Sequence, residues 1–306
     1  MRCLPTLLAF GTLVPLAVVA DTAQFKPVAD TAIFQQEAPN NFGRQNSLPL
    51  GTVANQTASG RLLLRFDVSS LPFNAVITNV SLRITVLKQA QTPKAESVEA
   101  HRLLQPWGEG TKTGQLGALA SAGEADWTDR LKGQAAWAMA GGQAGTDFAT
   151  AVSTSAGLGG PGNYTFLSTA TLVADVQAWL QNPAGNFGWL LLNANESVRS
   201  SAKRVASREA AATQQPLLTV SYSVPPPPPP APQFTQVALK SGLLELGFHA
   251  EADYIYTVSF REAVNVGVWQ PLTNVVSRFQ PADAVVTDPA NQTGRFYQVS
   301  ITGQVD

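Results

Sequence analysis

Strict alternation of apolar and polar positions dominates this chain and predicts short strands. In Arg61–Asp67, Leu62, Leu64 and Phe66 fall on one face, while Arg61, Leu63 and Arg65 fall on the other, solvent-directed face. From Val80 to Val86 the inward positions are Val80, Leu82, Ile84 and Val86. Phe187–Asn193 is a near-continuous apolar run, the pattern of a central strand, and Leu217–Tyr222 returns to alternation. Turn chemistry separates these runs at Pro39-Asn40-Asn41, Leu71-Pro72 and Asn182-Pro183-Ala184-Gly185. One helix is predicted over Ala170–Leu180, where Val173, Val176, Trp179 and Leu180 recur at spacings of three and four. Thr111–Tyr164 shows neither period and is rich in Gly and Ala. It reads as a long loop region over one end of a sandwich.

A second block of alternation lies near the C-terminus: Leu244/Leu246/Phe248, Tyr254/Tyr256/Val258/Phe260 and Tyr297/Val299/Ile301. Between the blocks stands Pro225–Pro232, seven prolines and one alanine. Proline fixes φ and has no N–H, so this run joins neither sheet nor helix; as polyproline II it spans roughly 25 Å. The expected organisation is a signal peptide at 1–20, a β-sandwich at 21–224, a linker at 225–232 and a small β-sandwich at 233–306. The signal reading rests on Arg2, the uncharged run Leu4–Val19 and the small residues before Asp21. Cleavage there removes Cys3, the only cysteine, so the mature chain is expected to be secreted, free of disulfides and without a membrane span. Export without disulfides fits a bacterial source.

Charge narrows the chemistry. Twenty Lys and Arg face 21 Asp and Glu, a balance that argues against nucleic acid as a partner. Two histidines and one cysteine leave little for a His/Cys metal site. His101 lies in a predicted strand and His249 ends another, each as an ordinary surface or edge residue, and neither accompanies a nucleophile motif. Glu109, Glu124, Asp126 and Asp129 cluster in sequence without a groove to make them a glycosidase pair. They can supply calcium oxygens, yet no Asp-x-Asp-x-Asp spacing occurs. The expectation is a non-enzyme without a cofactor, structural Ca²⁺ being the one candidate metal.

The order of motifs resembles the DNRLRE (disaggregatase-related) domain, also classed as family 96 of carbohydrate-binding modules. It runs through Ala29-Asp30-Thr31-Ala32-Ile33, Asn41-Phe42-Gly43, Gly60-Arg61-Leu62-Leu63-Leu64-Arg65-Phe66-Asp67, Trp107-Gly108-Glu109-Gly110-Thr111, Leu172–Trp179, Phe187–Leu191 and Ala206-Ser207-Arg208-Glu209. The resemblance covers nearly all of 25–224 and implies a jelly-roll-like sandwich of a secreted bacterial protein, some relatives binding acidic polysaccharide such as alginate. The Gly/Ala-rich Trp127–Gly162 stretch departs from the pattern, where relatives often carry a shorter loop. The C-terminal block, with Trp269-Gln270-Pro271-Leu272 and Arg295-Phe296-Tyr297-Gln298-Val299, is similar to immunoglobulin- or fibronectin-like accessory repeats. That implies a spacing or presenting role.

The fold class expected is therefore all-β: a jelly-roll-like sandwich, a polyproline linker and a small immunoglobulin-like sandwich. Candidate carbohydrate-binding residues are Arg61, Arg65, Arg83, Arg204 and Arg208, whose guanidinium groups grip carboxylates bidentately, and Trp107, which can stack on a sugar ring or plug its own turn. Trp179 and Trp189 read as core by spacing. The expected function is non-catalytic binding of extracellular polysaccharide. The alternatives are a structural or adhesive surface component that partners cell-surface or matrix proteins, and a polysaccharide lyase or hydrolase with Tyr164 or His101 as nominal base.

Overall fold

The computed structural model describes residues 20–54, 58–90, 93–94, 96–225, 227–264, 267–278, 280–289 and 294–305. The predicted signal segment, residues 1–19 of it, lies outside them. Contacts divide the chain into two compact units, with the boundary between Pro225 and Pro226. No helix among the described residues is long and apolar enough to cross a membrane.

The larger unit begins with β1 (Asp21–Phe25), β2 (Pro27–Phe34), β3 (Asn40–Asn41), β4 (Ser47–Thr52), β5 (Ser59–Phe66), β6 (Val76–Gln89) and β7 (Glu96–Arg102). Then come β8 (Ala118–Leu119), β9 (Asp129–Leu131), β10 (Ala135–Ala136), β11 (Thr154–Leu158) and β12 (Gly162–Phe166). Helix α1 (Ala170–Gln181) precedes β13 (Trp189–Asn193), β14 (Lys203–Ala206) and β15 (Leu217–Ser223). The main sheet is antiparallel and curled, in the order β1-β15-β6-β14-β4-β5-β13-β7-β11, with β12 added to β6 and β2 to β5. The curl turns on β4. Leu48–Leu50 pair with β14, while Gly51 and Thr52 pair with β5. Gly51 makes the turn with φ +88°, which an L side chain rarely adopts.

The alternation read from sequence explains the core between the two halves of this sheet. Leu62, Leu64 and Phe66 of β5 meet Val80, Leu82, Ile84 and Val86 of β6, with Trp189 and Leu191 of β13. Helix α1 closes the core with Leu172, Val176, Trp179 and Leu180. Leu172 replaces the expected Val173, which is only partly buried. Thr169 caps the helix by accepting the Leu172 N–H at 3.0 Å.

The expectation for the opposite face of β5 is corrected. Leu63 is fully buried there with Ile33 and Leu190, under a second apolar layer made by Leu103, Trp107, Ala125, Trp127, Trp137 and Phe148. The aperiodic segment after β7 therefore roofs one face of the sheet and does not sit over an end of the sandwich. Its tryptophans lack a period because they come from irregular segments. Two are anchored by an indole hydrogen bond, Trp137 Nε1 donating to Asp126 O at 2.9 Å and Trp107 Nε1 to Phe187 O at 2.8 Å, and Trp127 packs against Arg61.

The smaller unit has β16 (Phe234–Lys240), β17 (Leu243–Ala250), β18 (Tyr254–Arg261), β19 (Gln270–Ser277), β20 (Ala282–Pro289) and β21 (Phe296–Gln304). They form two three-stranded sheets, β16-β17-β20 and β19-β18-β21. Leu246 and Phe248 from one sheet pack on Tyr256 and Val258 from the other. The chain is all-β, with both units built as sandwiches.

Candidate functional site

β5 delivers two of the expected arginines to the roofed face, and they differ. Arg61 is consumed by the fold. Its Nε and Nη2 hold Glu196 bidentately at 2.9 and 2.6 Å, its Nη1 donates to Gly141 O at 2.7 Å, and it lies 5.3 Å from the Trp127 ring centre. Arg65 lies 5.8 Å from the Trp107 ring centre and makes no hydrogen bond or ion pair to any described residue. Trp107 itself is 5% exposed. It is the plug of its turn, and its ring offers no platform for a sugar.

Arg65 borders an open cavity of about 380 Å³. Phe66, Val68, Trp179 and Pro183 supply apolar lining; Asp67, Ser69 and Asn186 supply polar lining. Two lining residues hold buried polar atoms without a partner, the indole Nε1 of Trp179 and the carboxamide Oδ1 of Asn186. Asn186 is oriented by its Nδ2, which donates to Phe66 O at 2.7 Å. The cavity thus combines an unpaired guanidinium with apolar and polar lining, features that suit a carboxylated sugar ring, while the two unpartnered atoms are themselves closed to solvent.

Arg208 approaches the same region through Val28, which lines the cavity and accepts a hydrogen bond from Arg208 Nη1. The spacing of Arg204 and Arg208 predicts that both point outward from one strand; the structure instead ends β14 at Ala206 and places Arg208 in the turn beyond it. Its guanidinium is engaged by acids: Nε meets Glu209 at 3.0 Å and Nη1 meets Glu109 at 3.3 Å. Asp30 completes this cluster. It is wholly buried, its Oδ2 accepts the Arg208 backbone N–H at 2.6 Å, and burial holds its carboxyl well above the ordinary aspartate range. Burial also raises Glu109. Asp30, Glu109 and Glu209 each place a carboxylate oxygen within 4.8 Å of the others, a spacing that can hold a cation, and Arg208 already reaches two of them.

The other loop acids named as calcium candidates shape their own turns. Glu124 accepts the N–H groups of Thr111 and Ser121, Asp126 accepts those of Thr128 and Asp129, and Lys132 bridges Asp126 and Asp129. Only Glu109 joins the buried cluster; its partners Asp30 and Glu209 lie far off in sequence.

Arg83 and Arg204 stand apart from Arg65. Arg83 is half-buried on β6, its Nε without a partner. Arg204 lies on β14 opposite Lys88 and donates to Gln115 O at 2.8 Å. The nominal bases are spent on backbone. His101 is buried, not at the surface, with Nδ1 2.9 Å from Ala149 O, and Tyr164 donates to Gly160 O at 2.7 Å. His249 is exposed and pairs with Asp283 at 2.9 Å.

Compared with models of known protein families and with curated proteins, the chain matches none. The pattern of β5 singles out Arg65 but not the cavity beside it. Trp179 is core, as its spacing predicts, and also lines the cavity wall; Asn186 sits in a turn whose composition marks only a turn.

Proposed function

We propose that the larger unit is a non-catalytic module that binds an acidic extracellular polysaccharide, with Arg65 taking a uronate carboxylate. The observation that carries this reading is the unpaired Arg65 guanidinium beside an open cavity of mixed apolar and polar lining. Arg61 commits four of its five N–H donors within the fold. The resemblance to the DNRLRE domain and the signal-like N-terminus support the same reading. His101 and Tyr164 each contact a backbone carbonyl, the other ring nitrogen of His101 lies 3.3 Å from Glu99, and neither residue lines the cavity beside Arg65.

The test is affinity electrophoresis of the mature chain through gels holding alginate, pectin or a neutral glucan. Retardation by the acidic polymers alone, weakened by salt and lost in Arg65→Ala, is the expected result. Unchanged mobility of the folded protein in every gel overturns the reading.

One observation favours an adhesive role for the smaller unit. Val237 and Leu239 of edge strand β16 are 63% and 68% exposed, an apolar edge of the kind that pairs with another chain. Concentration-dependent self-association, lost in Val237→Lys, would establish it.

A further inference from the structure

We propose that the larger unit has a second, separate anion site at Lys88, Lys203 and Arg204, which binds the carboxylate or sulfate group of an acidic glycan. In assigning the anion to a glycan it rests on the function proposed above; as an oxyanion site it stands on its own geometry.

β14 runs between β6 and β4. The register sets Arg204 opposite Lys88 and Lys203 opposite Gln89, and the pairing shifts between Arg204 and Val205. Such irregularities re-aim side chains. Two cavities, of about 430 and 220 Å³, are both lined by Lys88 and Arg204. The larger adds the neutral polar groups of Gln45, Asn46, Ser47 and Gln115; the smaller adds Lys203. No Asp or Glu lines either.

The feature that marks the site is three cations brought together with no acid lining either cavity. Arg61, Arg208 and Arg295 pair with acids, Arg61 with Glu196, Arg208 with Glu109 and Glu209, and Arg295 with Asp288. Arg65 and Arg83 do not, but neither shares a cavity with a second unpaired cation. Lys203 is only 4% exposed, and its Nζ donates to the neutral Ser201 carbonyl at 2.9 Å. Arg204 likewise finds a carbonyl, that of Gln115. Burial depresses the pKa of both groups, and for Lys203 only the distant attraction of Glu96 opposes it. Cations withdrawn from water without an opposite charge are costly. An oxyanion seated between Arg204 and Lys88 returns that charge, because guanidinium and ammonium donors match the oxygens of carboxylate and sulfate. The amide and hydroxyl groups of the larger cavity then suit the sugar hydroxyls beside it.

The test measures binding to the mature chain by calorimetry at fixed ionic strength, with an oligouronate, a sulfated oligosaccharide and inorganic sulfate as separate probes. Each is repeated with Arg204→Gln, Lys88→Gln and Arg65→Ala. Affinity for at least one probe should weaken about tenfold or more in Arg204→Gln and Lys88→Gln and persist in Arg65→Ala. Binding of inorganic sulfate alone keeps the oxyanion site and removes the glycan as its source. Binding that fails only in Arg65→Ala, or no binding of any probe to the folded protein, overturns the site. Should Arg204→Gln fail to fold, exposed Lys88 still decides through Lys88→Gln.

Discussion

Asp30 and Arg208 lie 178 positions apart, yet the Asp30 carboxylate accepts the Arg208 backbone N–H at 2.6 Å. This bond ties the second strand of the chain to the turn after β14. It also places a carboxyl group in a wholly buried position. Burial raises the Asp30 pKa more than the Arg208 bond lowers it. A carboxyl raised in the folded state binds its proton more tightly than in the unfolded chain. Its contribution is full below the unfolded value, about 3.9, and is lost as pH rises through the raised folded value. Asp30→Asn keeps an acceptor for the N–H and removes the buried charge. Its melting temperature at pH 7 should exceed wild type by roughly 2–4 °C, the shift of about 1 kcal/mol in a domain of this size. The gain should shrink toward pH 4. A variant less stable than wild type at both pH values would show that the ionised form is the one the fold requires.

Arg61 should matter to stability and not to ligand. Removing it leaves Glu196 without its bidentate partner and uncovers one face of Trp127. Both side chains keep partial solvent access, at 14% and 27%, so the cost of Arg61→Ala is set at about 1–3 kcal/mol. Urea unfolding reads it directly. Polysaccharide retardation measured well below the unfolding midpoint should match wild type. A selective loss of retardation would move the binding site to Arg61.

Trp107 separates packing from recognition. Trp107→Ala should cost about 3–5 kcal/mol, as a large aromatic removed from a core does. Trp107→Phe keeps most of the buried area and loses only the bond to Phe187 O. It should therefore fold and be retarded by alginate as wild type is. Should Trp107→Phe fold normally and lose retardation, the indole would be a ligand contact after all.

The smaller unit carries its own titration. Tyr297 donates to the buried Asp288 carboxylate at 2.6 Å, and Arg295 holds the same carboxylate at 2.8 Å. Burial first, and the hydrogen bond to Asp288 second, push the Tyr297 phenol up to about 12. A raised phenol contributes stability that is present below its unfolded value near 10 and is lost as pH climbs toward 12. Ultraviolet titration should show a late phenol that is lost in Tyr297→Phe, while Tyr256, also raised by burial, stays late, and that variant should be less stable at neutral pH by about 1 kcal/mol. An identical titration curve in the variant would refute the assignment.

Local alternation determined much of this protein. In Leu62/Leu64/Phe66, Val80–Val86 and the C-terminal strands, side chains of period two announce which face meets the core between the sheets. The helix at Ala170–Gln181 and the boundary at the proline run were legible for the same reason: their constraints act within a few residues. What covers a strand's second face is not a local matter. Arg61 and Arg65 share one pattern, but one meets Glu196, 135 positions away, and the other meets a cavity formed with Trp179 and Asn186. The Gly/Ala-rich segment has no period because it roofs a sheet with turns, so nothing in it announces that Leu63 is covered. Nothing in its local pattern announces that Lys203, next to Arg204, is buried between the strands on either side of β14. Sequence thus set the strands and their inward faces. Only the tertiary structure decided which charges are neutralised, because an ion pair or an unpaired guanidinium depends on residues that the fold, and not the chain, makes neighbours.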